Sequence, residues 1–155
     1  MPEPREFPYQ NFAFRVKIGT DDEKSILAGF QEVSGLGAEV SVAEYRAGNS
    51  RENVPIKVFG LGKTADVTMK RGVVGSTDLF EWMQAVRDGD RSKEQYFRTV
   101  TVTLMAEDRS TPILEWKLLN ARPMKSTQPA LNGKSGDVAV EELVVSAENI
   151  QMASL

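Results

Sequence analysis

Alternation of apolar and other residues with a period of two recurs through most of this chain and strongly limits its fold. In the segment 12–18, Phe12, Phe14, Val16 and Ile18 fall on one side, which is typical of a strand with one buried face. Further strand-like segments follow at 25–34, 39–45, 54–59, 65–70, 99–104, 113–121 and 137–150. The sequence therefore predicts a mainly β protein. Its 155 residues suit one domain, 1–155.

One segment, about 76–88, has the period of an α-helix instead. Its apolar residues stand at i, i+3, i+4 and i+7 and form one stripe. The stripe comprises Leu79, Trp82, Met83 and Val86. Ser76 is a candidate N-cap, and Gly89 follows the predicted end. We expect this helix to flank the strands, either on a sheet face or at one end of a barrel.

Three stretches interrupt the strand pattern. We interpret 60–62 as a glycine turn that joins two short strands into a hairpin. The stretch 123–136 contains two prolines and two glycines and no regular pattern, so we predict an ordered loop. In 137–150 the apolar phase changes across Glu141 and Glu142, as it would at a β-bulge.

The composition excludes several classes of protein. The chain has no cysteine and no histidine, and its formal net charge is −3. Disulfide frameworks, thiolate metal sites and cysteine nucleophiles are therefore excluded, and the commonest general base and zinc ligand are missing. The mild acidity gives no long-range attraction to nucleic acid or anionic membranes. We expect no enzyme activity, no cofactor and no metal site.

The segment 60–64 (GLGKT) is similar to the end of a phosphate-binding loop, but its context argues against that function. Such a loop needs an earlier glycine at the position held here by Lys57. It also needs a following helix, whereas 65–70 alternates like a strand. The segment 35–37 (GLG) likewise lacks the third glycine of a dinucleotide-binding motif, because Val40 stands there.

Acidic residues cluster at three places. They are 21–23, Asp88 with Asp90, and Glu141 with Glu142. None has a partner at a spacing that indicates acid–base catalysis, so we interpret all three as solvated. The nearby basic residues, Lys63 and 70–71, are predicted to be ion-pair partners rather than a phosphate-binding track.

A long polar segment at 45–53 lies between two predicted strands. Loops of this length are commonly functional or disordered. Because strands flank it, we interpret 44–53 as a projecting hairpin that needs a partner surface. Exposed sheet edges also need covering, and closed oligomers are one way to remove them.

The first residues, 1–6, are polar and include two prolines, unlike the basic start and apolar stretch of a signal peptide. No apolar run approaches the roughly 20 residues that cross a bilayer. We therefore expect assembly in the cytoplasm, without a signal peptide or membrane anchor.

Several short strings occur in an order that is specific to one family. They are FRVKIG at 14–19, FQEVSGL at 30–36, YRAG at 45–48, VTMKRG at 67–72, DLFEW at 78–82, WKLLNARP at 116–123, PALN at 129–132 and VEEL at 140–143. In this order they resemble the tail tube proteins of contractile phages and of phage-derived contractile injection systems, close to the T4-type tube protein family.

The resemblance implies two packed antiparallel sheets that form a small barrel or sandwich with one flanking helix. It implies hexameric rings whose sheets join into an inner wall and which stack into a tube. The implied partners are further copies of the chain, a contractile sheath, baseplate or spike and terminator proteins, and DNA or protein cargo in the lumen. The final location would be a virion tail or an injection particle.

By the same resemblance, contacts between rings and subunits should fall on the projecting hairpin and on an N-terminal arm, 1–9. The expected contact residues are Glu44, Tyr45, Arg46, Asn49 and Arg51 in the hairpin, and Phe7 and Tyr9 in the arm. Because the chain is acidic, a mildly acidic lumen that repels acidic cargo is expected.

Two other interpretations remain open at this stage. One is a tube initiator at the baseplate or a secretion-system tube ring, which would share the fold. The other is a monomeric β-barrel that binds a small ligand in an apolar cavity, which would leave the polar hairpin at 44–53 without a purpose.

Overall fold

Ten β-strands and one α-helix are formed by the residues that the computed structural model describes, which are 6–19, 26–89 and 97–155. In chain order they are β1 (Phe14–Ile18), β2 (Ile26–Ala28), β3 (Glu32–Ser34), β4 (Ala38–Tyr45), β5 (Ile56–Thr64), β6 (Val67–Gly72), α1 (Asp78–Asp88), β7 (Arg98–Met105), β8 (Pro112–Thr127), β9 (Val140–Ser146) and β10 (Asn149–Ser154). The acidic segment 21–23 and Asp90 lie outside the described residues.

Two antiparallel sheets share the long strand β8. The first half of β8 pairs with β7 on one side and β10 on the other, and β1 and β2 extend this first sheet beyond β7. The second half of β8 pairs with β9, followed by β6 and β3, in a second sheet. The result is an open sandwich with a flanking helix, which confirms the predicted fold class.

The core lies between the two sheets and is closed by the helix. Alternate residues of the strands point into it, including Ile18, Val100, Leu118 and Val145, each fully buried. This is the period-two pattern of the sequence, in which every second side chain faces the interior. The helix contributes Leu79 and Trp82 to the same cluster.

Two strands continue past residues that were expected to end them. The prediction of a glycine turn at 60–62 is wrong, because β5 runs through these residues and ends at Thr64. The prediction of a loop at 123–136 starts it too early in the sequence, because β8 continues to Thr127. Its pairing with β9 shifts register between Pro123 and Lys125, and a strand proline is tolerated at such an irregularity.

The predicted bulge at 141–142 is also wrong. Strand β9 pairs with β6 in unbroken register there, with Glu141 opposite Arg71. Glu141 occupies an inward position in phase with Leu143 and Val145, so a buried carboxylate stands where the pattern required an apolar residue. The real interruption comes after Ser146, where β9 ends before β10 begins.

Two smaller expectations change as well. The segment 25–34 divides into β2, which pairs with β1, and β3, which pairs with β6 in the other sheet. The helix begins at Asp78 with Thr77 as its N-cap residue, one position after the candidate N-cap Ser76, and ends at Asp88 before Gly89 as predicted.

Gly35 is required where the chain leaves β3. Its φ of +89° lies in the left-handed region, and an added Cβ would meet the Asp66 carbonyl oxygen at 2.3 Å. Only glycine avoids both problems. From this turn the chain enters β4.

Candidate assembly surfaces

The β4–β5 hairpin forms a two-stranded sheet of its own, separate from the sandwich. Every residue of β4 is exposed, as is every residue of β5 before Thr64. The Thr64 hydroxyl donates to the Glu148 carbonyl oxygen at 3.3 Å, which ties the base of the hairpin to the end of β9 and start of β10. The hairpin is therefore longer than the segment 44–53, which is its distal part.

The hairpin residues expected to make contacts lie at its distal end. Glu44 and Tyr45 end β4, and Asn49 and Arg51 are exposed in the connecting loop. Arg46 is used within the loop, since its Nε donates to the Glu52 carbonyl oxygen at 3.0 Å. Its guanidinium also donates to the Ser50 carbonyl oxygen at 3.3 Å, so Arg46 shapes the loop.

The two arm residues differ in exposure. Phe7 is exposed, whereas Tyr9 is half-buried and lines a small surface depression with Phe12 and Met105. Residues 1–5 of the expected arm lie outside the described residues.

Sequence reasoning missed the apolar residues in the body of the hairpin. They are Val40, Val42, Val54, Ile56, Val58, Phe59 and Leu61, all exposed. A signal for them exists, because the run from Val54 to Leu61 is mostly apolar without strict alternation. Such runs are typical of strands covered on both faces.

The outward face of the first sheet is polar. On β7 this face is formed by Thr99, Thr101 and Thr103. The strand register places residues of β1, β8 and β10 on the same face. Those positions are Arg15 and Lys17 on β1, Glu115, Lys117 and Leu119 on β8, and Asn149, Gln151 and Ala153 on β10. In these four strands the face thus holds three basic residues and one acidic residue, with Lys117 Nζ 3.8 Å from Glu115 Oε1.

Both sheets end in strands that pair on one side within the part of the chain that the structure describes. The first sheet ends at β2 and β10, and the second ends at β3 and at the second half of β8. An edge strand presents backbone donors and acceptors on which another chain can pair.

An apolar depression of about 430 Å³ opens at one side of the sandwich. Phe12, Phe14, Val33, Leu36 and Trp116 line it together with polar residues at its rim. It opens to solvent, whereas the buried side chains of the core form a separate apolar cluster.

The buried charges form an ion cluster that connects three elements. The Arg71 guanidinium on β6 donates to Glu141 on β9 and to Asp78 at the start of α1, and its side chain is only 4% exposed. Burial alone would lower the pKa of Arg71, but hydrogen bonds to the two carboxylates and their charges outweigh burial and raise it. The expectation that 70–71 are ion-pair partners is confirmed, since Lys70 Nζ also lies 3.7 Å from Glu32 Oε2.

Asp78 stabilises the helix start as well as the cluster. Burial alone would raise its pKa, but hydrogen bonds from Arg71 and from the Leu79 amide, at 2.8 Å, lower it below its usual range. Among the described residues no buried side-chain nitrogen or oxygen lacks a hydrogen-bond partner, so the buried atoms of the cluster are satisfied and the cluster has a structural role.

Within the ranges 6–19, 26–89 and 97–155, no group of three or more acidic residues is placed to hold a metal ion. No helix in the described part of the chain is both long and apolar enough to cross a bilayer.

Comparison with known proteins gives one family and several similar structures. Residues 10–151 match the family described as T4-like virus tail tube protein gp19. A chain of the extended sheath–tube complex of PVC, an extracellular contractile injection system, is 26% identical and has a TM-score of 0.82, covering 97% of this chain and 94% of that chain. A chain of the PVC sheath/tube terminator is 27% identical with a TM-score of 0.79, covering 96% and 98%. Among curated protein sequences, none is significantly similar.

A more distant structure shares the fold alone. Hcp1 from Flavobacterium johnsoniae is 18% identical with a TM-score of 0.58, covering 93% of this chain and 98% of that chain. The family match, by contrast, extends from before β1 into β10 and includes the whole hairpin. The chain therefore belongs to the T4-like virus tail tube protein family, whose members are structural subunits of the tubes of contractile phage tails and related injection particles.

Proposed function

We propose that this protein forms hexameric rings that stack into the inner tube of a contractile phage tail or tail-like injection particle. The family match over 10–151 carries the proposal. Sheath, baseplate or spike and terminator proteins are its partners, and DNA or protein cargo passes through the lumen. Assembly takes place in the cytoplasm, and the role is mechanical, without catalysis, cofactor or metal.

The sheet edges support ring closure. The first sheet ends at β10 on one side and at β2 on the other, so one copy can pair its edge with the opposite edge of the next. Closing such a ring removes the edges and joins the sheets by backbone hydrogen bonds. A wall built in this way is stiff, as a tube driven through an envelope must be.

The polar face of the first sheet suits the channel wall. Its threonines are small and uncharged, and no aromatic residue stands at its positions on β1, β7, β8 or β10. On this assignment the wall carries a basic excess from Arg15, Lys17 and Lys117, the opposite of the acidic lumen expected from net charge. A wall with this charge attracts acidic cargo weakly instead of repelling it.

Rings stack through two segments of the single domain, the distal part of the β4–β5 hairpin and the N-terminal arm. The distal hairpin, with Glu44, Tyr45, Asn49 and Arg51, contacts the adjoining ring, and the N-terminal arm with Phe7 and Tyr9 adds to this contact. Arg46 contributes by holding the loop in shape through the Ser50 and Glu52 carbonyl groups.

Negative-stain electron microscopy with light scattering on the same sample tests the proposal. We expect six-fold rings or hollow tubes, and we expect a glycine-serine replacement of 46–53 to leave rings that no longer stack. The sample is also mixed with the baseplate and sheath proteins encoded with it, because assembly can need a template. A monomer that still forms no ring or tube in that mixture would refute the proposed function.

The channel wall has its own test. The chain has no cysteine, so Thr101→Cys supplies a unique thiol for a gold-tagged maleimide. Gold inside the channel of labelled tubes is expected, whereas gold on the outer surface would show that another face lines the lumen.

A further inference from the structure

One peptide bond in the connection between β8 and β9 combines several features that promote a spontaneous reaction of asparagine. The chain contains six asparagines, and Asn132 is the one that is followed by glycine. Asparagine is among the thermally labile residues of proteins. The backbone nitrogen of the next residue can attack its side-chain amide, and glycine leaves this approach open because it has no Cβ.

The peptide lies in an exposed turn formed by residues 132–135. The Ser135 amide donates to the Asn132 carbonyl oxygen at 3.2 Å, which closes the turn. Between them, a Cβ added to Gly133 would meet no atom within 4 Å. Water and hydroxide therefore reach the peptide between Asn132 and Gly133 directly from solvent.

The Asn132 side chain is held against the peptide that would attack it. The Lys134 amide donates to Asn132 Oδ1 at 3.0 Å, an Asx turn whose hydrogen-bonded ring includes the Gly133 nitrogen. The same donor stabilises negative charge on Oδ1, as an oxyanion hole does, when a nitrogen adds to Cγ. The Gly133 amide donates to no acceptor among the described residues, so its proton is accessible to solvent.

Two comparable peptides lack this arrangement. Asp88 is also followed by glycine, but the Gly89 amide donates to the Ala85 carbonyl oxygen at 2.9 Å at the end of α1. Asn49 is followed by a serine, whose amide donates to the Ala47 carbonyl oxygen at 3.0 Å. In both peptides the nitrogen that would attack is held in a hydrogen bond, unlike the nitrogen that follows Asn132.

We propose that Asn132 is a site of spontaneous deamidation in the folded protein. The Gly133 nitrogen loses its proton to hydroxide and bonds to Cγ of Asn132, the Cγ–Nδ2 bond breaks, and Nδ2 takes a proton from water and leaves as ammonia. The resulting cyclic succinimide takes up water at either of its carbonyl carbons. Opening at Cγ leaves an aspartate, and opening at the main-chain carbonyl leaves an isoaspartate. The sum is one water consumed and one ammonia released.

The modification changes the surface of the second sheet's connection. Either product adds one carboxylate at position 132, so the formal net charge of a modified copy changes from −3 to −4. Isoaspartate also adds a methylene to the main chain of the turn between β8 and β9.

Purified full-length protein, kept folded in mildly alkaline buffer, tests the proposal. Peptide mass spectrometry follows the conversion of each asparagine, and ion-exchange chromatography follows the more acidic species. We expect Asn132 to convert at least an order of magnitude faster than Asn49 and Asn53. Gly133→Ala is the matched variant, because the added Cβ has open space. It should slow conversion at position 132 by at least an order of magnitude without changing the thermal unfolding curve.

The outcomes do not depend on ring or tube formation, so they are independent of the proposed function. Conversion at Asn132 no faster than at Asn49 and Asn53 would overturn the proposal, as would equal rates in wild type and Gly133→Ala. A guanidinium-unfolded sample isolates the effect of the turn. We expect the folded protein to convert at least as fast, since the turn supplies the Lys134 donor. A folded rate far below the unfolded rate would show that the fold protects Asn132 and would overturn the proposal.

Discussion

The sandwich and the β4–β5 hairpin are built from similar residues that are used in opposite ways. In β6 and β9 every second residue is buried, and even the charges of Arg71 and Glu141 are paired inside. In the hairpin, Val42 and Phe59 face solvent although they are as apolar as the core. The sandwich thus buries its apolar residues within the chain, whereas the hairpin leaves its apolar residues exposed.

The largest effect on the free subunit is expected from Arg71→Ala. The change leaves Asp78 and Glu141 without their cation, and breaking a buried ion pair from one side costs about 3–5 kcal/mol. Urea unfolding of dilute, unassembled protein measures this loss. Lys70→Ala is the matched control, since its exposed pair with Glu32 contributes about 1 kcal/mol or less. Equal losses for both variants would show that the buried cluster does not hold the sandwich together.

A second pair of variants compares the two regions directly. Leu118→Ala removes a fully buried side chain, so we expect the free energy of unfolding to fall by about 2–5 kcal/mol. Phe59→Ala removes an exposed one and should change it by no more than about 0.5 kcal/mol, yet prevent tube formation. Urea unfolding and electron microscopy give the two results. Normal tubes from Phe59→Ala would contradict the assembly role of the hairpin.

A smaller loss of stability is expected from a substitution at Gly35, in the turn that leads into the hairpin. Gly35→Ala forces a left-handed conformation on alanine and places its Cβ against the Asp66 carbonyl oxygen, at a cost of about 1–3 kcal/mol. Gly37→Ala is the control, because an added Cβ there has no atom within 4 Å. Thermal unfolding should separate the two variants. A Gly37→Ala loss as large as that of Gly35→Ala would refute this explanation.

The smallest effect is a pH dependence at the start of the helix. The pKa of Asp78 is lowered in the folded chain from its ordinary value of 3.8, so its ionised form stabilises folding at pH values above that ordinary value. That contribution is lost as pH falls through the folded value. The difference in urea midpoint between wild type and Asp78→Asn should therefore shrink as pH is lowered through this range. Asp88→Asn, at the exposed end of the same helix, serves as the control.

The sequence predicts most strands of the sandwich because their pattern is local. Strands β1, β6 and β7 and the helix ending at Asp88 appear near their expected positions. The errors come from contacts that span the chain. Glu141 looked like a break in the pattern because its partner, Arg71, lies 70 residues away. Pro123 looked like a loop residue because the pairing shift that accommodates it depends on β9.

The candidate assembly surfaces were likewise predicted only in part. The tip at 44–53 was predicted from its polar composition, but the apolar ribbon behind it was not. Apolar residues such as Val42 and Val58 normally indicate a buried strand. A sequence pattern does not say whether the covering surface belongs to the same chain.

The sequence by itself determined that this chain is a β protein with one helix and without histidine or cysteine chemistry, because alternation and composition need no knowledge of distant contacts. The order of its family strings also indicated a tail tube protein. Only the tertiary structure decided that β8 is shared by two sheets, that Arg71 meets Asp78 and Glu141, and that β4 and β5 stay apart from the core. The physical reason is that strand pairing and burial depend on residues far apart in sequence, whose meeting is decided by the packing of the whole chain.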